Sequence, residues 1–411
     1  MDLKEIPRYI MMIAIILQLS NAQTNELLSL GNRIIQLWSK SGVKFTIQYL
    51  SEAFRMVGNF IAGRGVPNDR QWVSHYKNGL PKILGLELCH WLEKMKILVQ
   101  NGENPRPKDR ALISVLSCFR ALSPPKWSPN FSTLTDPFIG QKDTFREEAI
   151  KYALESMGAF DFFKKKLKSP IFFWSNKAGV NARFAYLSAG LDLIALMRSP
   201  RIWSGHVGFA LHHSFYWYTL TFISLSILFI PFLLAPIDLC LGRLGLIKEL
   251  RGKTRVIGIT DQWTQWLFRP LHDAIYTFLS ALPEDGTNDQ LKPVREMLEK
   301  RKQSDFYSLD LSAATDRLPV KLQADILEQL GLGGRFWKVI LDRPYYYEGV
   351  PYHYTVGQPM GAYSSFAMLA LTNHLIVHLA HLQVFNKPLM KGQGVYGVLG
   401  DDIVIAEHRL A

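Results

Sequence analysis

Along the first half of the chain, apolar residues recur at helical spacing. Ile10 to Leu19 forms an apolar run that predicts a buried first helix. Asp2 and Glu5 offset Lys4 and Arg8, which argues against a secretory or transit leader. Residues 20 to 200 are predicted to be mostly helical. Ile34, Leu37 and Trp38, then Leu84, Leu88, Trp91, Leu92 and Met95, keep one face apolar. Loops are expected at Pro105 to Pro107 and at Pro124 to Pro137. Ser214 to Ile237 carries no charged residue and is long enough to cross a bilayer core, which takes about 20 helical residues. Pro231 and Pro236 oppose one unbroken helix, so membrane contact and a buried helical pair both stand. His206, His212 and His213 just before it are expected to pack rather than to bind a metal.

The pattern changes after this run. Lys248 to Ile259 reads as a strand on which Arg251, Lys253 and Arg255 share one face. Thr264 to Leu282 predicts an amphipathic helix, and Glu284 to Gln290 a solvated turn. Phe306 to Leu311 has strand composition. Ser312 to Pro319 then turns into a helix running through Leu322, Ile326, Leu327 and Leu330, with Gly331 as its stop. Tyr345 to Val356 predicts a hairpin turning at Glu348-Gly349. From Ser365 a helix follows, with Met368, Leu371, Leu375 and Leu379 as its apolar stripe. His374, His378 and His381 fall on a second face, read as a polar surface because no acid accompanies them at ligand spacing. Tyr396 to Ile405 predicts strand, turn at Gly400, strand, with Asp401 and Asp402 at the tip.

Composition narrows the class. The 411 residues are 48% apolar, which excludes a disordered chain and allows two to three domains. A net charge of +12 favours an anionic partner, nucleic acid or an acidic membrane surface. Cys89, Cys118 and Cys240 are too few and too scattered for a disulfide framework or a zinc module.

Two clusters carry chemistry. Arg251, Lys253 and Arg255 repel one another side by side unless an anion neutralises them, which points to phosphate contact. Asp310, late in an aromatic strand, is costly to bury without a cation. Asp401 and Asp402 alone are an ordinary turn signal. With Asp310 they offer acids from separate elements, as two-metal phosphoryl transfer needs.

Ser308-Leu-Asp-Leu-Ser-Ala-Ala-Thr-Asp-Arg-Leu-Pro319, Gly357-Gln-Pro-Met-Gly-Ala-Tyr-Ser-Ser365 and Gly397-Val-Leu-Gly-Asp-Asp402 resemble motifs A, B and C of mitovirus RNA-dependent RNA polymerases, in that order. Gly252 to Ile257 is similar to that family's basic finger motif. The resemblance implies an α/β (α+β) right-hand polymerase of fingers and palm in mitochondria, copying RNA from nucleoside triphosphates for viral RNA replication. It implies fingers over 246–300 and palm over 301–411, while the residues themselves predict a helical region over 1–200 and a hydrophobic segment, a candidate for membrane contact, over 201–245. Asp310, Asp401 and Asp402 would hold Mg2+ or Mn2+. Arg251, Lys253 and Arg255 would clamp the triphosphate, Asp316 would read the ribose, and Asn373 would pair with Asp316. Gly361, Ser364 and Ser365 would contact RNA.

The family's lysine motif, primer grip and thumb follow the Gly-Asp-Asp hairpin, and the sequence stops at Ala411. The thumb is therefore expected to be absent, and the chain to be a shortened copy, viral or integrated in a host genome. Two functions remain open at this point: an RNA polymerase, and an inactive remnant that binds RNA or membrane.

Overall fold

The computed structural model describes residues 3–64, 72–122, 129–140, 145–249, 254–301 and 305–411. The chain divides into two units, Met1–Pro129 with Ile247–Arg255, and Asn130–Leu246 with Val256–Ala411.

The first unit is largely helical. Helix Ile6–Ile16 turns Ile6, Ile10 and Ile13 inward, as its apolar run predicts, while Met12, Ile15 and Ile16 stay exposed. Ser20 caps the next helix, Asn21–Ile61, in a reciprocal box with Gln23. That helix kinks at Gly42, where a φ of 79° interrupts the regular turn. Leu88, Leu92 and Met95 of helix Leu86–Gln100 join Leu27, Leu30 and Ile34 in one core.

The second unit mixes helices with two small sheets, an α+β arrangement. In the first sheet β1 (Gly242–Lys248), β2 (Thr254–Thr260), β4 (Tyr345–Tyr347) and β5 (Val350–Tyr352) lie in the order β2-β1-β4-β5. In the second, β3 (Tyr307–Asp310), β6 (Tyr396–Leu399) and β7 (Asp402–Ile405) lie in the order β3-β7-β6. The predicted turn at Glu348-Gly349 forms, with Tyr347 opposite Val350 and φ of 49° and 81° at the two turn residues. Helix Gln262–Ser280 starts where Asp261 accepts the Thr264 amide at 2.8 Å. Helix Ser365–Phe385 runs through the core, with Met368, Leu371, Leu375 and Leu379 all buried.

Two expectations change. Lys248 to Ile259 is not one strand, because β1 ends at Lys248 and β2 begins at Thr254. Arg251 and Lys253 lie outside the described residues, and Arg255 pairs with Glu249 at 2.8 Å. The apolar run 214–237 is neither one span nor a buried pair. Helix Tyr216–Phe229 stops before Pro231, and a 3-10 turn carries the chain to Phe232. Its 14 residues fall short of a bilayer's thickness. Tyr218 and Phe222 pack inward, whereas Tyr216, Trp217, Leu220, Ile227 and Leu228 form an exposed apolar stripe. The Arg198 guanidinium fastens the loop that follows by donating to the carbonyls of Leu233, Ala235 and Ile237. Among the described residues, only Ser365–Phe385 is long and apolar enough to cross a membrane, and 72% of that window is buried, as befits a core helix. His206 is buried and His213 half-buried, while His212 stays exposed, and each ring donates to a carbonyl, of Ile202, Leu332 and Gly331 respectively.

Candidate active site

The three-stranded sheet sets two of the predicted acids face to face. β7 pairs antiparallel with β3, and Asp310 stands directly opposite Asp402. Such opposed positions hold their Cβ atoms about 4.5 to 5.5 Å apart on one face. Asp401 occupies the turn between β6 and β7, where its carbonyl accepts the Leu311 amide at 3.4 Å. Gly400 makes that turn possible. Its φ is 64°, and a Cβ there would lie 2.7 Å from the Phe366 ring.

Asp310 and Asp402 are exposed, and Asp401 is half-buried. Partial burial, then the negative charges of Asp401 and Asp310, push the Asp402 carboxyl above its ordinary range. The crowding is one a cation relieves. Among the described residues, no three His, Cys, Asp or Glu side chains gather into a closed metal cage. Carboxylates on an open rim suit a hard divalent cation such as Mg2+, which takes one or two carboxylates and keeps waters or phosphate oxygens as its other ligands.

Next to these acids, the turn after β3 is locked to the loop 357–365. Gly357 and Gln358 donate their amides to the carbonyls of Asp316 and Thr315 at 2.9 and 3.0 Å. A Cβ on Gly357 would lie 2.2 Å from the Thr315 carbonyl oxygen, so this close approach requires glycine. Gly361 rests on the Gly258 carbonyl. Gln265 clasps the loop from helix Gln262–Ser280, donating to Gly361 O at 2.8 Å and accepting Tyr363 N at 2.9 Å. Ser364 is buried, and its hydroxyl accepts the Trp337 indole N–H at 2.9 Å.

Asp316 is also buried, and burial raises its carboxyl above the ordinary range although the Thr133 hydroxyl and Arg317 oppose the shift. Oδ2 accepts from Thr133 Oγ1 at 2.7 Å. Asn373 does not pair with Asp316 as expected. Its Nδ2 donates instead to Gly400 O at 2.6 Å, pinning the acidic turn to the core helix. Asp316 Oδ1, Ser365 Oγ and Asn373 Oδ1 are each buried without a partner. A buried polar atom left unpaired costs about 1 to 3 kcal/mol, so each is a place for a ligand hydroxyl or an ordered water.

Two further readings are corrected here. The stretch from Glu284 is not solvated at its start, since Glu284 and Asp285 are buried. Nor do His374 and His378 form a polar surface. Both are buried, and His374 does meet an acid, Asp285, at 3.1 Å. His381 alone of the three is accessible, with Nδ1 against Lys387 O.

Residues 165–411, which include both sheets, the three acids and the 357–365 loop, match the family described as mitovirus RNA-dependent RNA polymerase. The chain belongs to that family. Over 424 aligned residues it is 31% identical to the RNA-directed RNA polymerase of Cryphonectria parasitica mitovirus 1, an alignment covering 99% of this chain and 51% of that protein. It therefore spans about half the length of that viral relative. Two uncharacterized mitochondrial proteins of Arabidopsis thaliana are 37% and 30% identical over 150 and 141 residues, each alignment covering 32% of this chain and respectively 56% and 66% of the plant proteins.

Several residues of the neighbourhood escaped sequence reasoning. Thr133 reaches Asp316 across 183 positions, and nothing in its local pattern marks it. Asp285 and His374 had a signal, an acid and a helical histidine in otherwise apolar surroundings, but no rule of spacing joins them.

Proposed function

We propose that this chain catalyses RNA-directed RNA synthesis, with 301–411 as the palm and 246–300 as the fingers of a right-hand polymerase. What supports the reading is the register that opposes Asp310 to Asp402, with Asp401 in the adjoining turn. Asp310 and Asp401 would hold Mg2+ or Mn2+, with Asp402 in support. Bound there, the ions supply a lowered pKa for an RNA 3′-hydroxyl and charge neutralisation for the departing pyrophosphate. Asp316 Oδ1, Ser365 Oγ and Asn373 Oδ1 would receive the ribose hydroxyls, the feature that separates ribonucleotides from deoxyribonucleotides. Family resemblance gives Arg251, Lys253 and Arg255 the triphosphate, and gives Gly361 and Ser364 the RNA. The viral relative and the plant mitochondrial proteins support residence in mitochondria.

The test is Mg2+-dependent incorporation of labelled nucleotides on a primed RNA template. The chain extends the primer, and its Asp401→Ala variant does not. Equal extension by both sinks the assignment of the acids. No extension by the parent chain, with salt-sensitive RNA binding retained, favours an RNA-binding remnant instead.

The exposed stripe of Tyr216, Trp217, Leu220, Ile227 and Leu228 supports a second role, peripheral contact with an anionic membrane. Aromatic side chains suit the headgroup level, and the net charge of +12 complements acidic lipid. Sedimentation with anionic vesicles is expected for the parent chain and is lost in Trp217→Ser/Leu220→Ser. Equal sedimentation of both chains would rule the stripe out.

A further inference from the structure

The interior beneath the acidic hairpin is polar where an apolar core would be expected. Asp285, His374, Tyr396 and His378 are all buried, and they form one unbroken chain of hydrogen bonds that ends at Ser156. We propose that Asp285 and His374 form a buried hydrogen-bonded pair which, through Tyr396, holds the β6–β7 hairpin at the setting catalysis needs. The inference rests on the polymerase reading.

The contacts run in order along the chain. The Ser156 hydroxyl lies 2.8 Å from the Ala153 carbonyl oxygen and 2.7 Å from His378 Nδ1. Burial, then the neighbouring His374, His381 and Lys391, pull the His378 pKa down to about 3, so that ring is neutral. His378 Nε2 meets the Tyr396 hydroxyl at 3.2 Å. Burial holds that phenol far above its ordinary pKa, so it keeps its hydrogen. The same hydroxyl meets His374 Nδ1 at 2.8 Å. Asp285 Oδ1 accepts the Thr287 amide at 2.9 Å, and Oδ2 faces His374 Nε2 at 3.1 Å. A carboxylate only accepts, so Nε2 is the donor.

The pair joins three pieces of the palm. Asp285 lies on a strip that borders β6, with Val398 N donating to Glu284 O at 2.9 Å and Gly286 N to Val398 O at 2.8 Å. His374 belongs to the core helix Ser365–Phe385. Tyr396 opens the hairpin, and Asn373, beside His374, holds its tip through Gly400 O. The helix therefore grips the hairpin at both ends. Gripping one end alone would leave the acids free to swing, and a displacement of about 1 Å at reacting groups can cost on the order of a hundredfold in rate. Asp285, His374 and Tyr396 are positioning residues that act on Asp401 and Asp402 through the backbone.

The first measurement needs no variant of the pair. Nitrogen-15 spectra of the histidine-labelled parent chain at pH 7 should show Nε2 of His374 protonated, the resonance being assigned by its loss in His374→Gln. A His374 ring whose Nε2 carries no hydrogen overturns the pair whatever the polymerase does. The second measurement is turnover. Tyr396→Phe and Asp285→Asn should each lower kcat about tenfold while leaving KM for the nucleotide within about twofold. The Asp285→Asn/His374→Gln double variant should be no slower than the slower single variant, as for residues that act as one unit. Full turnover in both Tyr396→Phe and Asp285→Asn overturns the positioning role while the polymerase reading stands. A loss of kcat that appears only in variants with a lowered melting temperature also overturns it. An inactive parent chain overturns the polymerase reading itself and the positioning role with it, while the spectrum still decides whether the pair forms.

Discussion

Asp310→Ala abolishes nucleotide incorporation while leaving the melting temperature in chelator equal to or above that of the parent chain. The two halves of this result share one cause. Asp310 is exposed and stands opposite Asp402, where its charge helps to push the Asp402 carboxyl upward. A carboxyl whose pKa is raised by folding lends stability below its unfolded value, and that stability is lost as pH rises through the folded value. At neutral pH the carboxylates repel in full, so removing Asp310 relieves the folded state. Incorporation goes the other way. With one acid of the proposed metal-binding set gone, several kcal/mol of charge stabilisation are expected to go with it, a loss on the order of a thousandfold in rate. Primer extension with Mg2+ and thermal melting in chelator check both halves. Extension within about tenfold of the parent, where a thousandfold loss is expected, would remove Asp310 from the reaction. A clear fall in melting temperature would show the residue to be structural.

The acidic hairpin was legible because its signals are local. Short apolar runs on either side of Gly400-Asp401-Asp402 predict two strands, and the permissive backbone of the glycine allows the turn. The hairpin at Glu348-Gly349 and the stripe from Met368 to Leu379 were legible for the same reason. What misled was polarity. Asp285 and His374 look like surface residues, and each is buried because the other lies 89 positions away with the complementary group. Asn373 was assigned to Asp316 by family pattern, whereas the backbone carbonyl of Gly400 is the acceptor it meets. Strand β1 was missed because its glycines and isolated leucines show no alternation strong enough to outweigh the apolar run before it. In the 214–237 run the break at Pro231 was legible, but the exposed outer face of the helix was not, because apolar side chains alone predict burial.

Arg343→Met destabilises the second unit by about 3 to 5 kcal/mol, the usual cost of removing one partner of a buried ion pair. Arg343 is 1% exposed, and its guanidinium donates to Asp261, to Thr264 Oγ1 at 3.0 Å and to the carbonyls of Ile340 and Leu241. Burial pushes the Asp261 carboxyl up, but Arg343 first and His206 next more than reverse this, so it lies below its ordinary range. Without the arginine, a carboxylate is left in the interior with no counter-charge of that strength. The damage also reaches the site. Asp261 caps helix Gln262–Ser280, and that helix carries Gln265, which clasps Gly361 and Tyr363, and His272, which accepts the Ser364 amide at 3.2 Å. A loosened cap therefore loosens the loop that packs on the turn holding Asp316. Melting temperature should fall by about 6 to 10 °C, and nucleotide KM should rise in material that remains folded. The Arg343→Met/Asp261→Leu double variant should recover a good part of the stability, because it leaves no charge unpaired. It should recover little of the KM, since leucine cannot cap the helix. A single variant that melts within about 2 °C of the parent would show the pair to be dispensable, and a double variant less stable than the single would place the loss in packing around Arg343 rather than in the stranded carboxylate.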